Sequence, residues 1–261
     1  MRAASFRPPR PARPLVVAHR GDSAHQPENT LAAFDAALAA GADGLELDLR
    51  LTADGTVVVV HDRTLARVFG RTGRVGTVHH ADLSAWDAGA HFAPDTPFAA
   101  VPTLGQVLDR YHGRTHLFLE IKGRAARRHD RRLLGAVIAA LPPPGAARRL
   151  WLIGFSYGLM RRAKRRRPDL PVGWTHASAL ARWADGPARW LGPLDGLVTP
   201  VGRADRDVGD RLHHCGRWLL CYGCNRGDEV RAALAAGADV LMADDPGLLR
   251  RRVAGWVEDA P

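Results

Sequence analysis

Cysteine is scarce. Cys215, Cys221 and Cys224 are the only three in 261 residues, which rules out a disulfide framework for a chain of this length. Cys221 and Cys224 have the spacing of half a zinc or redox motif, but no second pair or suitably spaced histidine completes it. They read as reduced thiols buried on a strand. Long apolar runs are missing too: no stretch approaches eighteen consecutive apolar residues, so no membrane-spanning helix is expected. The first fourteen residues interleave proline with arginine where a secretory signal would need an apolar core. A soluble, cytoplasmic protein is the expectation. Lysine is rare as well, although Lys and Arg together number 37 against 27 Asp and Glu, for a formal charge of +10. The basic residues gather in the tail Arg2–Arg13 and in the run Arg161–Arg167. Such an arginine excess fits biased composition as well as an anionic partner, and the run reads as a solvated face, with no nucleic-acid partner expected.

Hydrophobic residues make up 46% of the chain, enough for the core of one large domain. Residues 1–14 read as a disordered basic arm, since alternating prolines and arginines bury too little apolar area. Beyond it, apolar strand segments alternate with helical patterns. The strands are expected at Leu15–Ala18, Gly44–Leu49, Thr115–Lys122, Leu150–Phe155, Pro171–Thr175, Gly196–Val201, Arg217–Tyr222 and Val240–Ala243. Helices are expected at Thr30–Ala40, Asp130–Leu141, Ser156–Arg167, Gly227–Ala236 and Pro246–Trp256. Eight strands alternating with helices predict an α/β fold, a (β/α)8 barrel of the triosephosphate-isomerase type spanning residues 15–261. Asn29-Thr30 can cap the first helix and Gly41 can end it. The segment Arg63–Val101 lacks the rhythm and is rich in Gly, His and Asp, as an insertion over the barrel mouth would be.

The chemistry-bearing residues concentrate in the first half. Side chains alternate along a strand, so Leu45, Leu47 and Leu49 share one face and Glu46 and Asp48 the other. The same split sets Leu117, Leu119 and Ile121 against Glu120 and Lys122. Leucines suit packing against outer helices, which turns the carboxylates inward near the C-terminal mouth. At about 5 Å and an effective dielectric of about 20, each carboxylate pair costs roughly 3 kcal/mol. A divalent cation removes that cost, and hard oxygen ligands favour Mg2+, Ca2+ or Mn2+ over zinc. If Thr52–Gly55 closes a hairpin without a bulge, Leu51 faces Thr56 and Glu46 faces His61. His19 ends the first strand beside the second. Two imidazoles flanking one acidic cluster can act as general base and general acid. Arg20 offers a planar fork for two phosphate oxygens, Lys122 a point charge, and Asp62 an orienting partner for His61. Among the remaining histidines, His79, His80, His213 and His214 read as loop or surface residues, while His25 and His91 could still approach the site.

The ordered pieces His19-Arg20-Gly21, Pro27-Glu28-Asn29-Thr30, Glu46-Leu47-Asp48, His61-Asp62 and Leu119-Glu120-Ile121-Lys122 together resemble the glycerophosphodiester phosphodiesterase family. The resemblance extends from Leu15 to about Leu249. It implies metal carboxylates at Glu46, Asp48 and Glu120, acid-base histidines at His19 and His61, a phosphate-binding arginine at Arg20, and a second phosphate-side cation at Lys122. It also implies the barrel fold, a small insertion after His61, and hydrolysis of glycerophosphodiesters to glycerol 3-phosphate and an alcohol. In the implied reaction the glycerol 2-hydroxyl attacks phosphorus, and water opens the resulting cyclic phosphate. The second half departs from the family pattern at Gly154-Phe155, at Tyr222-Gly223-Cys224-Asn225 and at Ala243-Asp244-Asp245-Pro246. These positions bear on substrate choice, with Tyr222 standing as a pocket wall or as barrel packing.

Two other readings compete. A lysophospholipase D would use Trp183, Trp190 and the Arg161–Arg167 run as a rim against a membrane surface. A basic binding module would keep the fold without catalysis; against it, every position implied by the resemblance holds a functional residue type. The oligomeric state is open.

Overall fold

Short segments rich in Val, Leu and Ile become strands wherever capping residues and glycines interrupt the chain. The computed structural model describes residues 9–93, 95–123, 127–177 and 191–258. Its strands are β1 (Leu15–His19), β2 (Gly44–Leu51), β3 (Val57–Val59), β4 (His116–Ile121), β5 (Leu150–Gly154), β6 (Val172–Thr175), β7 (Gly196–Pro200), β8 (Trp218–Tyr222) and β9 (Val240–Ala243). All but β3 pair in parallel, and β1 pairs with both β2 and β9, so eight strands close into a barrel. The expected (β/α)8 architecture is the observed one, and each of the eight strand segments expected from the sequence contributes a strand.

Alternation along the strands sorts side chains as the pattern requires. Leu45, Leu47, Leu49, Leu117, Leu119 and Ile121 belong to the layer between barrel and helices, with Phe34, Val107 and Leu133. Val17, Phe118, Trp151, Ile153, Val198, Trp218, Leu220, Val240 and Met242 fill the barrel itself. Phe118 stacks on Trp151 at 5.8 Å, and Trp151 meets Trp218 at 4.8 Å. Room for the two indoles comes from Gly196, where a Cβ would lie 3.1 Å from the Trp218 carbonyl and 3.5 Å from Trp151. This aromatic layer closes the barrel from below. The polar ends of β1, β2 and β4 are left at the C-terminal mouth, where barrels of this type carry their active sites.

The helix α1 (Leu31–Ala39) begins where Thr30 accepts a hydrogen bond from the Ala33 amide, and Gly41 follows its end with φ +87°. Arg127–Ala140, Tyr157–Arg166, Gly227–Ala235 and Pro246–Glu258 are helices as the patterns predict. The Arg161–Arg167 run is not one solvated face. Lys164 and Arg167 turn inward to ion pairs with Asp195 and Asp169, both at 2.8 Å. Met160, Ala163, Lys164 and Arg167 stand at i, i+3, i+4 and i+7, so the periodicity that buries the apolar residues of an amphipathic helix buries the two basic residues as well.

The β2–β3 hairpin differs from the expected register by one residue. Leu51 faces Val57 and Leu49 faces Val59, because Thr52 pairs with Thr56 around a three-residue loop whose last residue, Gly55, has φ +89°. A glycine in that conformation supplies the bulge that the simple turn lacks. An unbroken ladder would set His61 opposite Leu47, on the outer face. β3 ends first, and His61 is held by its carbonyl, which accepts from Arg50 Nε at 2.8 Å.

Residues opposite one another in an antiparallel pair share a face, so Val58 and Val60 lie on the face of Arg50 and Asp48. There they join Leu65, Val68, Val75, Leu83, Ala88 and Val101 in a separate small core. The insertion is thus anchored beside the mouth by its own apolar contacts. Of the expected basic arm, residues 1–8 lie outside the described residues. Residues 9–14 are pinned where disorder was expected: Arg10 Nε lies 2.6 Å from Asp239, and Arg13 takes Asp43 with both terminal nitrogens. Among the described residues no helix is long and apolar enough to cross a membrane.

Candidate active site

β1 delivers His19 to the mouth and the chain then turns sharply. Arg20 has φ 62° and Gly21 φ 83°, and a Cβ on Gly21 would sit 2.7 Å from Ala33 backbone. Two successive left-handed residues bring the Arg20 amide to the Glu46 carbonyl at 3.0 Å and to Glu46 Oε2 at 3.2 Å. A non-glycine residue in this region costs about 1–2 kcal/mol, a strain typical of functional turns. Asn29 is the second such residue, with φ 60°; of the expected Asn29-Thr30 cap, Thr30 makes the capping bond and Asn29 turns to the site. Its amide donates to Asp48 Oδ2 at 2.8 Å, while its side-chain oxygen receives the Asp48 amide at 3.3 Å.

β2 and β4 stand side by side with Asp48 opposite Glu120, and β1 sets His19 opposite Glu46. Glu46, Asp48 and Glu120 each present an oxygen within 4.8 Å of the others, and all three are buried. Lys122 Nζ lies 2.9 Å from Asp48 and 2.7 Å from Glu120, and Arg20 Nε lies 3.3 Å from Asp48. These cations leave Glu46 Oε1 with no hydrogen-bond partner although it is buried. A lone buried carboxylate oxygen facing two more carboxylates suits an oxygen-coordinated divalent cation.

The charges are unevenly shared. Burial, then the neighbouring Asp48, pushes the Glu46 pKa up to about 8. Burial raises Glu120 as well. Asp48 is also penalised by burial, yet Lys122 and Arg20 hold it well below the usual carboxylate range. In the absence of a cation, the cluster keeps a proton on one carboxyl rather than three charges together.

The two histidines are built alike. His19 Nδ1 lies 2.8 Å from Asp244 Oδ1, and His61 Nδ1 lies 2.7 Å from Asp62 Oδ1. In each ring Nδ1 faces a carboxylate, which leaves Nε2 for the cavity; His19 Nε2 is 4.0 Å from Glu46. For His19, burial is outweighed by Asp244 and Glu46, so its pKa is raised. For His61 burial dominates, and its pKa falls below the ordinary value. Asp244 is fixed in turn by Asn225, which donates to it at 2.8 Å and accepts its amide at 2.9 Å.

His19, Arg20, Glu46, His61, Glu120, Lys122 and Tyr222 all line one cavity of about 200 Å³, closed on its other side by Ile153, Phe155, Val198 and Met242. One half is charged and the other apolar. A larger cavity of about 460 Å³ opens at the opposite end of the barrel, lined by Trp151, Trp218, Arg148 and Arg149. It holds neither a carboxylate cluster nor a histidine pair, so the chemistry belongs to the smaller one. His25 pairs with Asp22 at 2.8 Å and neither it nor His91 lines the small cavity. No described residue of 63–101 lines it either. Trp183 and Trp190 lie outside the described residues. Cys221 and Cys224 are buried free thiols whose pKa values burial raises, Cys224 to about 12, and they join no metal-ligand cluster among the described residues.

Sequence reasoning missed Asn29 and Asp244 as partners of the site. Asn29 was legible only as a cap, and Asp244 acts across 225 residues of chain through the closure of β9 onto β1. Residues 19–248 match the glycerophosphoryl diester phosphodiesterase family. A glycerophosphodiester phosphodiesterase of Caldanaerobacter subterraneus subsp. tengcongensis is 30% identical over 240 residues, which cover 90% of this chain and 96% of that protein. A phosphodiesterase of Oleispira antarctica, solved in complex with the product sn-glycerol-3-phosphate, is similar with a TM-score of 0.81 and 25% identity, over 93% of this chain and 97% of that one. A glycerophosphodiester phosphodiesterase of Agrobacterium tumefaciens str. C58 is similar with a TM-score of 0.75 and 26% identity, over 91% and 99%.

Proposed function

The chain belongs to the glycerophosphoryl diester phosphodiesterase family, and on that premise we propose that it hydrolyses glycerophosphodiesters to glycerol 3-phosphate and an alcohol, with Glu46, Asp48 and Glu120 holding a divalent cation. The observation that carries this reading is the unpartnered, buried Glu46 Oε1 among three converging carboxylates, between two histidines that both keep Nε2 for the cavity. All-oxygen donors favour Mg2+ or Ca2+, with Mn2+ next. The bound cation would supply Lewis-acid stabilisation of charge on the phosphoryl oxygens. Arg20 and Lys122 face the same oxygens from the protein side.

In this proposal one histidine takes the proton of the glycerol 2-hydroxyl as that oxygen attacks phosphorus, and the other protonates the departing alkoxide. The products of this step are a cyclic phosphate and the free alcohol. Water then opens the ring with the two histidines in exchanged roles, giving glycerol 3-phosphate. The Oleispira protein's bound product is consistent with that outcome.

The size of the cavity supports small deacylated headgroups over lysophospholipids. About 200 Å³ lies below the usual range for sites that enclose drug-sized ligands, and no described tryptophan extends it as an acyl groove. Release of choline from glycerophosphocholine and from lysophosphatidylcholine, each with and without added Mg2+, tests the reading. Metal-dependent turnover of the first substrate and its loss in Glu46→Ala are expected. Preferential turnover of the lysolipid, or undiminished activity of Glu46→Ala, would reject it.

A further inference from the structure

Arg67 stands outside the cavity and outside every role assigned so far, yet it closes a chain of ion pairs between the two sides of the site. Its Nε lies 2.7 Å from Asp62 Oδ2, while its Nη1 and Nη2 lie 2.9 and 2.6 Å from the two oxygens of Glu28. Asp62 holds His61 Nδ1 through its other oxygen, at 2.7 Å. Glu28 reaches Arg20 Nη1 at 3.3 Å, and Arg20 Nε reaches Asp48 at 3.3 Å. One guanidinium, carried on the four-residue helix Ala66–Phe69 at the start of the insertion, therefore spans both the carboxylate that aims His61 and the carboxylate that braces Arg20. We propose that Arg67 is a positioning residue for the phosphodiester reaction, fixing His61 and Arg20 relative to each other through Asp62 and Glu28. The inference rests on the function proposed above.

Geometry separates this role from ordinary surface pairing. A single exposed ion pair contributes little, because water and ions screen it and its side chains lose freedom. Here three of the guanidinium nitrogens engage three carboxylate oxygens on two residues, an arrangement that fixes direction as well as distance. Glu28 and Asp62 are mostly buried, with side chains 16% and 21% exposed, whereas Arg67 covers them from outside at 44%. Without Arg67, Glu28 would keep only its 3.3 Å contact to Arg20 and Asp62 only its contact to His61, and nothing would tie the two carboxylates to each other. His61 and Arg20 would then lose their bracing at the same moment. A lysine cannot substitute, since one ammonium on a flexible stem does not bridge two carboxylates in a fixed plane. The insertion thereby acquires a link to the chemistry without lining the cavity.

The test compares wild type, Arg67→Ala and Arg67→Lys on glycerophosphocholine with saturating Mg2+, with and without millimolar methylguanidinium. Misplacement of a catalytic group by about an ångström costs up to roughly 100-fold. Both variants are expected to lose about 10- to 100-fold in kcat while KM changes less and the melting temperature stays near that of wild type. Methylguanidinium should restore a saturable part of the activity of Arg67→Ala, since the position is open to solvent, and should leave Arg67→Lys unchanged. An active wild type with Arg67→Ala or Arg67→Lys within threefold of its kcat overturns this inference alone. So does a loss that methylguanidinium fails to repair in Arg67→Ala, or one that tracks a fall in melting temperature. A wild type inactive on every glycerophosphodiester overturns the proposed function and this inference with it.

Discussion

His19 and His61 reach the same cavity with the same local device, a carboxylate on Nδ1, but with opposite electrostatic surroundings. Asp244 and Glu46 raise the His19 pKa against the effect of burial, whereas burial lowers that of His61. The opposite shifts make His19 the better proton donor of the two and His61 the better acceptor, and on the function proposed above we assign them acid and base in the first step. Asp244→Asn tests the donor side. The amide can present its NH2 to Nδ1, which favours the tautomer with the proton on Nε2 and removes the charge that stabilises the imidazolium. Because His19 is raised in pKa by its partner, losing that partner lowers it, so the protonated form disappears at a lower pH. The alkaline limb of the kcat profile should move to lower pH, and kcat at neutral pH should fall by about 100-fold or more. An unmoved limb with wild-type kcat would remove Asp244 from this role. At this scale the sequence exposed the residues that combine chemical type with strand parity: His19, Arg20, Glu46, His61, Glu120 and Lys122 do line one cavity, and Asp48 is buried against Lys122 beside it. It hid the residues whose partnership depends on tertiary closure. Asn29 reads as a cap until its backbone takes φ 60° and points its amide at Asp48, and Asp244 meets His19 only once β9 lies against β1.

The elements were legible where one periodicity ran uninterrupted. Strands of four to eight residues with one leucine-rich face have a single way to lie between helices and barrel interior, so all eight parallel strands fall within a residue or two of their expected bounds. The β2–β3 hairpin was not, because its register depends on one glycine. With Gly55 at φ +89° the loop holds three residues, and every pairing after it shifts by one. Parity alone would then have sent His61 outward. The short length of β3 and the Arg50 contact to the His61 carbonyl recover the site. The β1–α1 turn is the element on which the site most depends. Gly21 combines a positive φ with backbone of Ala33 2.7 Å from any Cβ, so Gly21→Ala must both strain the turn and push α1 away. The expected cost is roughly 2–5 kcal/mol from the left-handed conformation and the overpacking together. For a chain of this size that lowers the melting temperature by about 5–15 °C. Activity should fall further than stability alone explains, since the Arg20 amide is placed on Glu46 by the same turn. A variant that melts with wild type would show that the turn relaxes freely.

For the whole molecule, the buried acidic cluster couples three quantities that can be read together: stability, pH and cation binding. Closing the barrel sets Glu46 and Asp48 of β2 beside Glu120 of β4 and puts all three out of water, whatever is bound. The unfolded chain meets no such demand, and its Glu46 titrates near the ordinary value of 4.5. In the folded protein without a cation, Glu46 is pushed up to about 8, so the folded state binds this proton more tightly than the unfolded state does. The sign follows by linkage. The stability that the bound proton provides is complete below pH 4.5 and is lost progressively as pH rises towards and through 8. A divalent cation takes the proton's place, so its binding should release a proton and tighten with rising pH over that interval. Metal-stripped protein should therefore lose more melting temperature between pH 6 and pH 8.5 than protein in excess Mg2+ or Ca2+, and the gain from cation should be larger at pH 8.5 than at pH 6. A cation at about a hundred times its Kd adds roughly 2.7 kcal/mol, or about 5–10 °C for a domain of this size. Glu46→Gln supplies the decisive comparison, because an amide cannot titrate. Its metal-free stability should be flat with respect to this step, and its response to cation should be small at both pH values. If wild type and Glu46→Gln respond alike to Mg2+ and to Ca2+ across the range, the cluster does not bind the cation and the carboxylates serve Lys122 and Arg20 instead.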